Sequence, residues 1–161
     1  MTRSSRFLPV LASIEVVGAV IALPTIVETL SAAPHGWGRV GIVAGIVLVS
    51  MSAAGGVLLF KGKRAGLVLS LIVQTLQVIQ VSGPGGAFVF RVGLGILAGF
   101  EGLNPNATID WGTFYAVRIG GNAEQVTVLI NLLACFFLWS LIKELSGTPK
   151  NLTGTDTISE G

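Results

Sequence analysis

Long apolar runs, separated by short polar or basic segments, dominate the pattern of the chain. Four of them, at 7–30, 40–60, 65–81 and 126–142, are close to the length needed to cross a bilayer, which is about 20 residues for a helix. Because lipid offers no hydrogen-bond partners to the backbone, runs of this kind are expected to be helical. The pattern therefore predicts four transmembrane helices.

The segment 82–124 interrupts this pattern and is expected to be a long outer loop between the third and fourth helices. Apolar residues alternate along AFVFRVGLGILAGF (87–100) and TIDWGTFYAVRI (108–119), which is typical of strands. These two stretches can pair as a β-hairpin that caps the outer ends of the helices. In the alternative interpretation, 87–100 is a re-entrant helix in which Gly95 and Gly99 allow close packing.

Composition supports membrane residence. Hydrophobic residues make up 52% of the 161 residues and charged residues 11%, whereas soluble domains contain about 25% charged residues. The predicted class is an all-α integral membrane protein, a four-helix transmembrane bundle with a small extracytoplasmic cap. A single transmembrane domain is expected over 1–145, followed by a flexible cytoplasmic tail at 146–161.

The distribution of positive charge predicts the orientation of this bundle. Basic residues concentrate on the cytoplasmic side of membrane proteins. Seven of the ten basic residues fall on the side that holds both termini: Arg3, Arg6, Lys61, Lys63, Arg64, Lys143 and Lys150. We therefore expect a multi-pass protein of the inner, or plasma, membrane with cytoplasmic N- and C-termini, and the composition is typical of bacteria.

Glu15 is the most informative single residue, because an ionisable side chain at membrane depth is costly and is a functional candidate by default. Counted from the cytoplasmic ends at 1.5 Å per residue, Glu15, Ser52, Gln74 and Asn131 lie at one depth, roughly 12–17 Å into the hydrocarbon. Gln77 shares the helix face of Gln74. These five residues form the candidate mid-membrane binding cluster.

Two interpretations of this cluster stay open. In the first, Glu15 is protonated or is hydrogen-bonded by Gln74 and Asn131, and the layer only fixes the register of the helices, as buried polar residues often do. In the second, Glu15 binds a proton or a cation, or anchors a ligand headgroup. The loop charges, including Arg91 and Asp110, are interpreted as ordinary solvated charge, with outer ion pairs or contact with a partner as the alternative.

Other chemistry has little support in the sequence. The single Cys135 excludes an internal disulfide, and the single His35 excludes a bis-histidine haem held between helices. No catalytic, cofactor or metal site is predicted, so the protein is not expected to be an enzyme. A net charge of +2 does not indicate nucleic-acid binding.

The favoured function is a non-enzymatic accessory, assembly or scaffold subunit that packs against other membrane proteins in the lipid bilayer. Stretches of small residues on the helix faces support this interpretation, because such residues mark close helix contacts. The alternative is a small transporter, channel or lipid-binding protein that uses the cluster around Glu15. Four helices are few for a monomeric transporter, so this alternative implies a homo-oligomer.

Overall fold

The computed structural model describes residues 7–31, 37–112, 114–119 and 125–146 of the chain. Within these residues the fold is α+β, with four helices and a six-stranded antiparallel sheet. The elements, in chain order, are α1 (Phe7–Ser31), α2 (Trp37–Phe60), α3 (Arg64–Val78), β1 (Ile79–Gly83), β2 (Gly86–Arg91), β3 (Leu94–Glu101), β4 (Asn104–Trp111), β5 (Phe114–Ile119), β6 (Thr127–Asn131) and α4 (Leu132–Ser146).

The helices α1 and α2 form the long pair of the structure. Both are apolar around their whole circumference, a pattern found in buried or membrane-embedded helices. They approach closely at Gly56, where an added Cβ would lie 2.8 Å from the carbonyl oxygen of Ala12. In the described part of the chain, these two helices contain the only stretches long and apolar enough to cross a membrane, Phe7–Glu28 and Val40–Phe60.

The prediction of a four-helix transmembrane bundle is wrong. The run at 65–81 leaves the helical conformation after Val78, where β1 begins, and the run at 126–142 starts as strand β6 before α4. Both α3 and α4 have 15 residues, fewer than the roughly 20 needed to cross the hydrocarbon as a helix. The multi-pass four-helix bundle is therefore replaced by an α+β fold with two candidate spans.

The cause of this error is the ambiguity of short apolar runs. Residues 78–82 (VIQVS) and 126–130 (VTVLI) are rich in β-branched side chains, which favour strands over helices. Hydropathy alone does not separate a buried strand from a helical segment. In the structure these two stretches pair with each other, with Ile79 opposite Ile130 and Val81 opposite Val128.

The remaining four strands form one long, bent hairpin. The segment β2–β3 pairs with β4–β5 in a single register: Arg91 lies opposite Phe114 before the bend, and Leu94 lies opposite Trp111 after it. In the half of the hairpin that contains β2 and β5, β2 pairs with β1. In the half that contains β3, β4 and the turn, β3 pairs with β6. The strand order is therefore β4-β3-β6-β1-β2-β5.

The bend of the hairpin rests on α1. Gly93 adopts a φ of 85° at the bend, and its carbonyl oxygen accepts a hydrogen bond from the Gly112 nitrogen at 2.9 Å. A Cβ on Gly93 would lie 2.8 Å from the Ile14 side chain. Only glycine fits both the positive φ and this close approach.

The segment predicted as an outer loop thus contains strands, and the alternative interpretation of 87–100 as a re-entrant helix is wrong. The strands are more than a small cap, however, since they join β1 and β6 in one sheet. Apolar packing surrounds Glu15 on α1: Leu11 and Ala12 belong to one core cluster, and Ala19 and Ala22 to another. The predicted tail beyond Ser146 and the single histidine, His35, lie outside the described residues.

Candidate functional site

Glu15 is fully buried and receives two hydrogen bonds from α3. The Ser70 hydroxyl donates to Glu15 Oε2 at 2.6 Å, and Gln74 Nε2 donates to Glu15 Oε1 at 3.2 Å. Ser70 and Gln74 are four residues apart, so they lie on the same face of the helix. The expected partnership of Glu15 and Gln74 is present, and each carboxyl oxygen has one neutral donor.

Glycine on α2 provides the space for this contact. A Cβ on Gly55 would lie 3.0 Å from Ser70 Oγ and 3.3 Å from Glu15 Oε2. Small residues of this kind allow helices to approach closely enough for side-chain hydrogen bonds across the interface. The carboxyl group of Glu15 is thus enclosed by α1, α2 and α3.

The other members of the predicted cluster are buried but bond elsewhere. Gln77 Oε1 accepts a hydrogen bond from the Val92 nitrogen at the hairpin bend, at 3.2 Å. Asn131 Oδ1 accepts from the Ala134 nitrogen at 3.2 Å, an N-cap at the start of α4. Ser52 is buried, and its hydroxyl has no partner among the described residues. The polar residues that depth placed in one layer therefore fall into two groups. One group surrounds Glu15, and the other lies where α3 and α4 meet the sheet, here called the helix–sheet junction.

The junction contains a set of buried nitrogen atoms that lack partners among the described residues. Each belongs to an amide or guanidinium group and can only donate hydrogen bonds. The atoms are Gln77 Nε2, Gln80 Nε2, Arg91 Nε and Asn131 Nδ2. The strand register explains part of this grouping. Gln80 pairs with Leu129 on β6, which places it one diagonal step from Asn131, about 7–8 Å away.

Arg91 and Asp110 form an ion pair across the bent hairpin. Arg91 Nη2 donates to Asp110 Oδ2 at 2.6 Å, and the Arg91 side chain is 8% exposed against 48% for Asp110. The interpretation of Arg91 as a solvated loop charge is therefore wrong, and the ion-pair alternative describes it. The signal that could have indicated burial is the position of Arg91 in an otherwise apolar alternating stretch.

Ser70 is missing from the cluster predicted from the sequence. Its spacing of four residues from Gln74 is the signal that could have included it, and its hydroxyl is the closer of the two donors to Glu15. With respect to metals, the described residues contain no group of three or more His, Cys, Asp and Glu side chains that could hold an ion. The Glu15 site therefore consists of one buried carboxyl group held by two neutral donors.

A second feature is the exposed apolar face of the sheet, here called the apolar sheet face. Strand pairing aligns its members: Ile79 lies opposite Ile130, and Val128 lies opposite both Val81 and Phe100. It consists of the exposed large apolar residues Ile79, Val81, Phe88, Ile96, Phe100, Ile109, Trp111, Val128 and Ile130. Charged residues of these strands, such as Asp110, alternate onto the opposite face.

Comparisons of the chain with protein-family models, with curated proteins and with solved structures find no match.

Proposed function

We propose that the protein is anchored in a membrane by α1 and α2 and acts as a non-enzymatic accessory subunit that packs against another membrane protein. The exposure of α1 and α2 supports the anchoring. Only 39% of each candidate span is buried within the structure, whereas the core helix of a soluble protein is mostly buried. Side chains such as Val20, Val27 and Val43 are left for lipid or a partner.

The sheet reaches the middle of the α1 span in this proposal, because the hairpin bend contacts α1 at Gly18. Its edge strand β4 carries Asn104, Asn106, Thr108 and Asp110, and all but Asn106 are exposed. An open sheet edge has unpaired backbone groups, and lipid cannot satisfy them. The α1–α2 pair is therefore the anchor, and the open edge of the sheet must be kept from lipid, either beyond the hydrocarbon or against a partner protein.

The apolar sheet face then needs a partner, and this surface is the observation that carries the proposal. At about 4.8 Å per strand and 3.3 Å per residue, the five strands that contribute to it give an area of about 500 Å². Patches above a few hundred Å² on soluble surfaces mark interaction sites. Because the face carries no charge, its best occupant is an apolar surface of another membrane protein.

The test is purification of the chain from its native membrane in a mild detergent. We expect the protein to resist extraction with alkaline carbonate and to bring a stoichiometric partner through purification. Phe100→Asp on the apolar sheet face should release the partner. The matched control is Leu103→Asp, which places the same charge on the exposed β3–β4 turn and should retain the partner.

Two results would contradict the proposal. Release of the wild-type protein by carbonate would rule out membrane anchoring. Recovery of a clean monomer or homo-oligomer without a stoichiometric partner would rule out the accessory role, as would equal retention of the partner by Phe100→Asp and Leu103→Asp.

A second candidate function is proton or cation movement through the Glu15 site. It is favoured by the complete burial of Glu15 and by the two hydrogen bonds that its carboxyl group accepts from the neutral groups of Ser70 and Gln74. Gln77 and Gln80 continue a buried polar line from Gln74 toward Arg91. Proteoliposomes with wild-type protein should then carry a flux that Glu15→Gln abolishes, and equal flux in both would exclude this function.

A further inference from the structure

A cavity of about 330 Å³ lies at the end of the helix bundle remote from the sheet. It is bounded by the start of α1, the α2–α3 turn and the end of α4, and its lining consists of Leu8, Leu59, Gly62, Lys63, Arg64, Leu67 and Glu144. Its volume falls at the lower end of the range of small-molecule sites, about 300–1,000 Å³. Neither the accessory role nor the Glu15 site uses this cavity.

The turn that forms one wall of the cavity is fixed by its backbone. Gly62 has a φ of 63°, and its nitrogen donates to the Leu59 carbonyl oxygen at 2.9 Å. The Lys63 nitrogen donates to the Leu58 carbonyl oxygen at 2.9 Å. A Cβ on Gly66 would lie 2.5 Å from the Leu59 nitrogen, so α2 and α3 are held together directly after the turn. Lys63 and Arg64 therefore project from a rigid support.

The charge of the lining favours an anion. Lys63 and Arg64 contribute two positive charges and Glu144 one negative charge, which leaves one net positive charge. No ion pair of Lys63 or Arg64 occurs among the residues that the structure describes. Arginine presents a planar fork of donors that suits phosphate oxygens, and lysine adds a compact positive charge.

The start of α3 adds further donors to this wall. Lys63 is the N-cap residue and makes no side-chain capping hydrogen bond. The Gly66 nitrogen already donates to the Lys63 carbonyl oxygen at 2.9 Å. The first-turn N–H groups left for a ligand oxygen are those of Arg64 and Ala65, where the helix dipole favours a negative charge. These donors supplement the two cationic side chains.

The rest of the lining is apolar. Leu8, Leu59 and Leu67 come from α1, α2 and α3 and face the same cavity. We propose that this cavity binds a phosphate group, with Lys63 and Arg64 as its ligands. The three leucines suit the glycerol and upper acyl portion of an anionic phospholipid, while free phosphate would use only the charged wall.

The experiment uses the full-length protein in a neutral detergent. Native mass spectrometry measures binding of phosphatidylglycerol and of phosphatidylcholine, and calorimetric titration measures binding of inorganic phosphate. The test variant is Lys63→Gln/Arg64→Gln. The matched control is Lys61→Gln/Lys143→Gln, which removes the same charge at the same end of the bundle from residues outside the lining.

We expect one phosphatidylglycerol per chain, bound about tenfold more tightly than phosphatidylcholine, and a loss of about tenfold in the test variant. The control should change this affinity by less than about threefold. Saturable binding of inorganic phosphate that the test variant loses would identify free phosphate as the ligand. Binding of phosphatidylglycerol alone would identify the lipid.

Two outcomes would overturn the proposal. One is the absence of both headgroup preference and phosphate binding in the wild-type protein. The other is an equal loss in the test and control variants, which would indicate diffuse attraction to basic residues. Lys63 and Arg64 are exposed, so both variants should keep the wild-type circular dichroism spectrum. If the test variant loses that spectrum, the single variant Lys63→Ala replaces it in the same comparison, with Lys61→Ala as its control.

Discussion

Gly18 of α1 and Gly93 of the hairpin bend meet backbone to backbone. A Cβ on Gly18 would lie 2.5 Å from the Gly93 nitrogen and 2.7 Å from its Cα atom. This contact is the direct connection between the long apolar helix and the sheet. It fixes where the bend lies along α1, one turn from Glu15.

Gly18→Ala tests this contact. In an isolated helix the change would stabilise by about 1 kcal/mol, but here the new methyl group meets backbone that cannot move aside. We expect a net loss of about 1–3 kcal/mol in the free energy of unfolding, measured by chemical denaturation in detergent. The control is Gly85→Ala, where an added Cβ has nothing within 4 Å; equal stabilities of the two variants would contradict the close contact.

Two substitutions of Glu15 should distinguish the contribution of its hydrogen bonds to stability from that of its charge. Glu15→Gln keeps an oxygen to accept from Gln74 and a group to bond Ser70, so it should unfold within about 1 kcal/mol of the wild type. Glu15→Leu leaves both donors buried without an acceptor and should cost about 2 kcal/mol or more. Equilibrium unfolding of both variants provides the measurement. If Glu15→Gln is as unstable as Glu15→Leu, the negative charge itself is required.

The ion pair of Arg91 and Asp110 should respond asymmetrically to mutation. Asp110→Asn leaves a buried guanidinium without its counter-charge and should cost about 1–3 kcal/mol. Arg91→Met leaves a half-exposed carboxylate that water can solvate, and it also removes the unpartnered Nε, so its cost should be smaller. Thermal melts of the two variants at one salt concentration would show the order, and the reverse order would contradict the burial of Arg91.

Asn131 should act through its oxygen and not through its amide nitrogen. Asn131→Ala removes the cap on the Ala134 nitrogen and should lower stability by about 0.5–2 kcal/mol. Asn131→Ser keeps a capping oxygen and removes the unpartnered Nδ2, so it should be at least as stable as the wild type. Unfolding midpoints decide between these outcomes, and a serine variant as weak as the alanine variant would assign a role to the amide nitrogen.

Sequence reasoning succeeded where a single physical cause dominates. The helices α1 and α2 follow from uninterrupted apolar runs of the required length. The contact between Glu15 and Gln74 follows from depth and helical phase, because both residues lie on regular helices that start at the same end of the bundle. The strand character of 87–100 was visible in its alternation.

The errors arose where tertiary pairing decides the local structure. Nothing local in VIQVSG or VTVLIN states that these stretches are each other's partners, yet this pairing makes β1 and β6 strands. Asn131 was placed by depth on a straight helix, whereas it lies at the junction of β6 and α4. The burial of Arg91 depends on the bend at Gly93, and the bend depends on its contact with α1.

The bent hairpin also determines the order in which the chain can fold. Its turn at Gly102 and Leu103 joins strands that are adjacent in sequence, so this pairing closes a short loop and is entropically cheap. The pairing of β1 with β6 joins residues on either side of the entire hairpin, and contacts of such long range form slowly. The hairpin is therefore expected to form first and to serve as the template on which β1 and β6 come together.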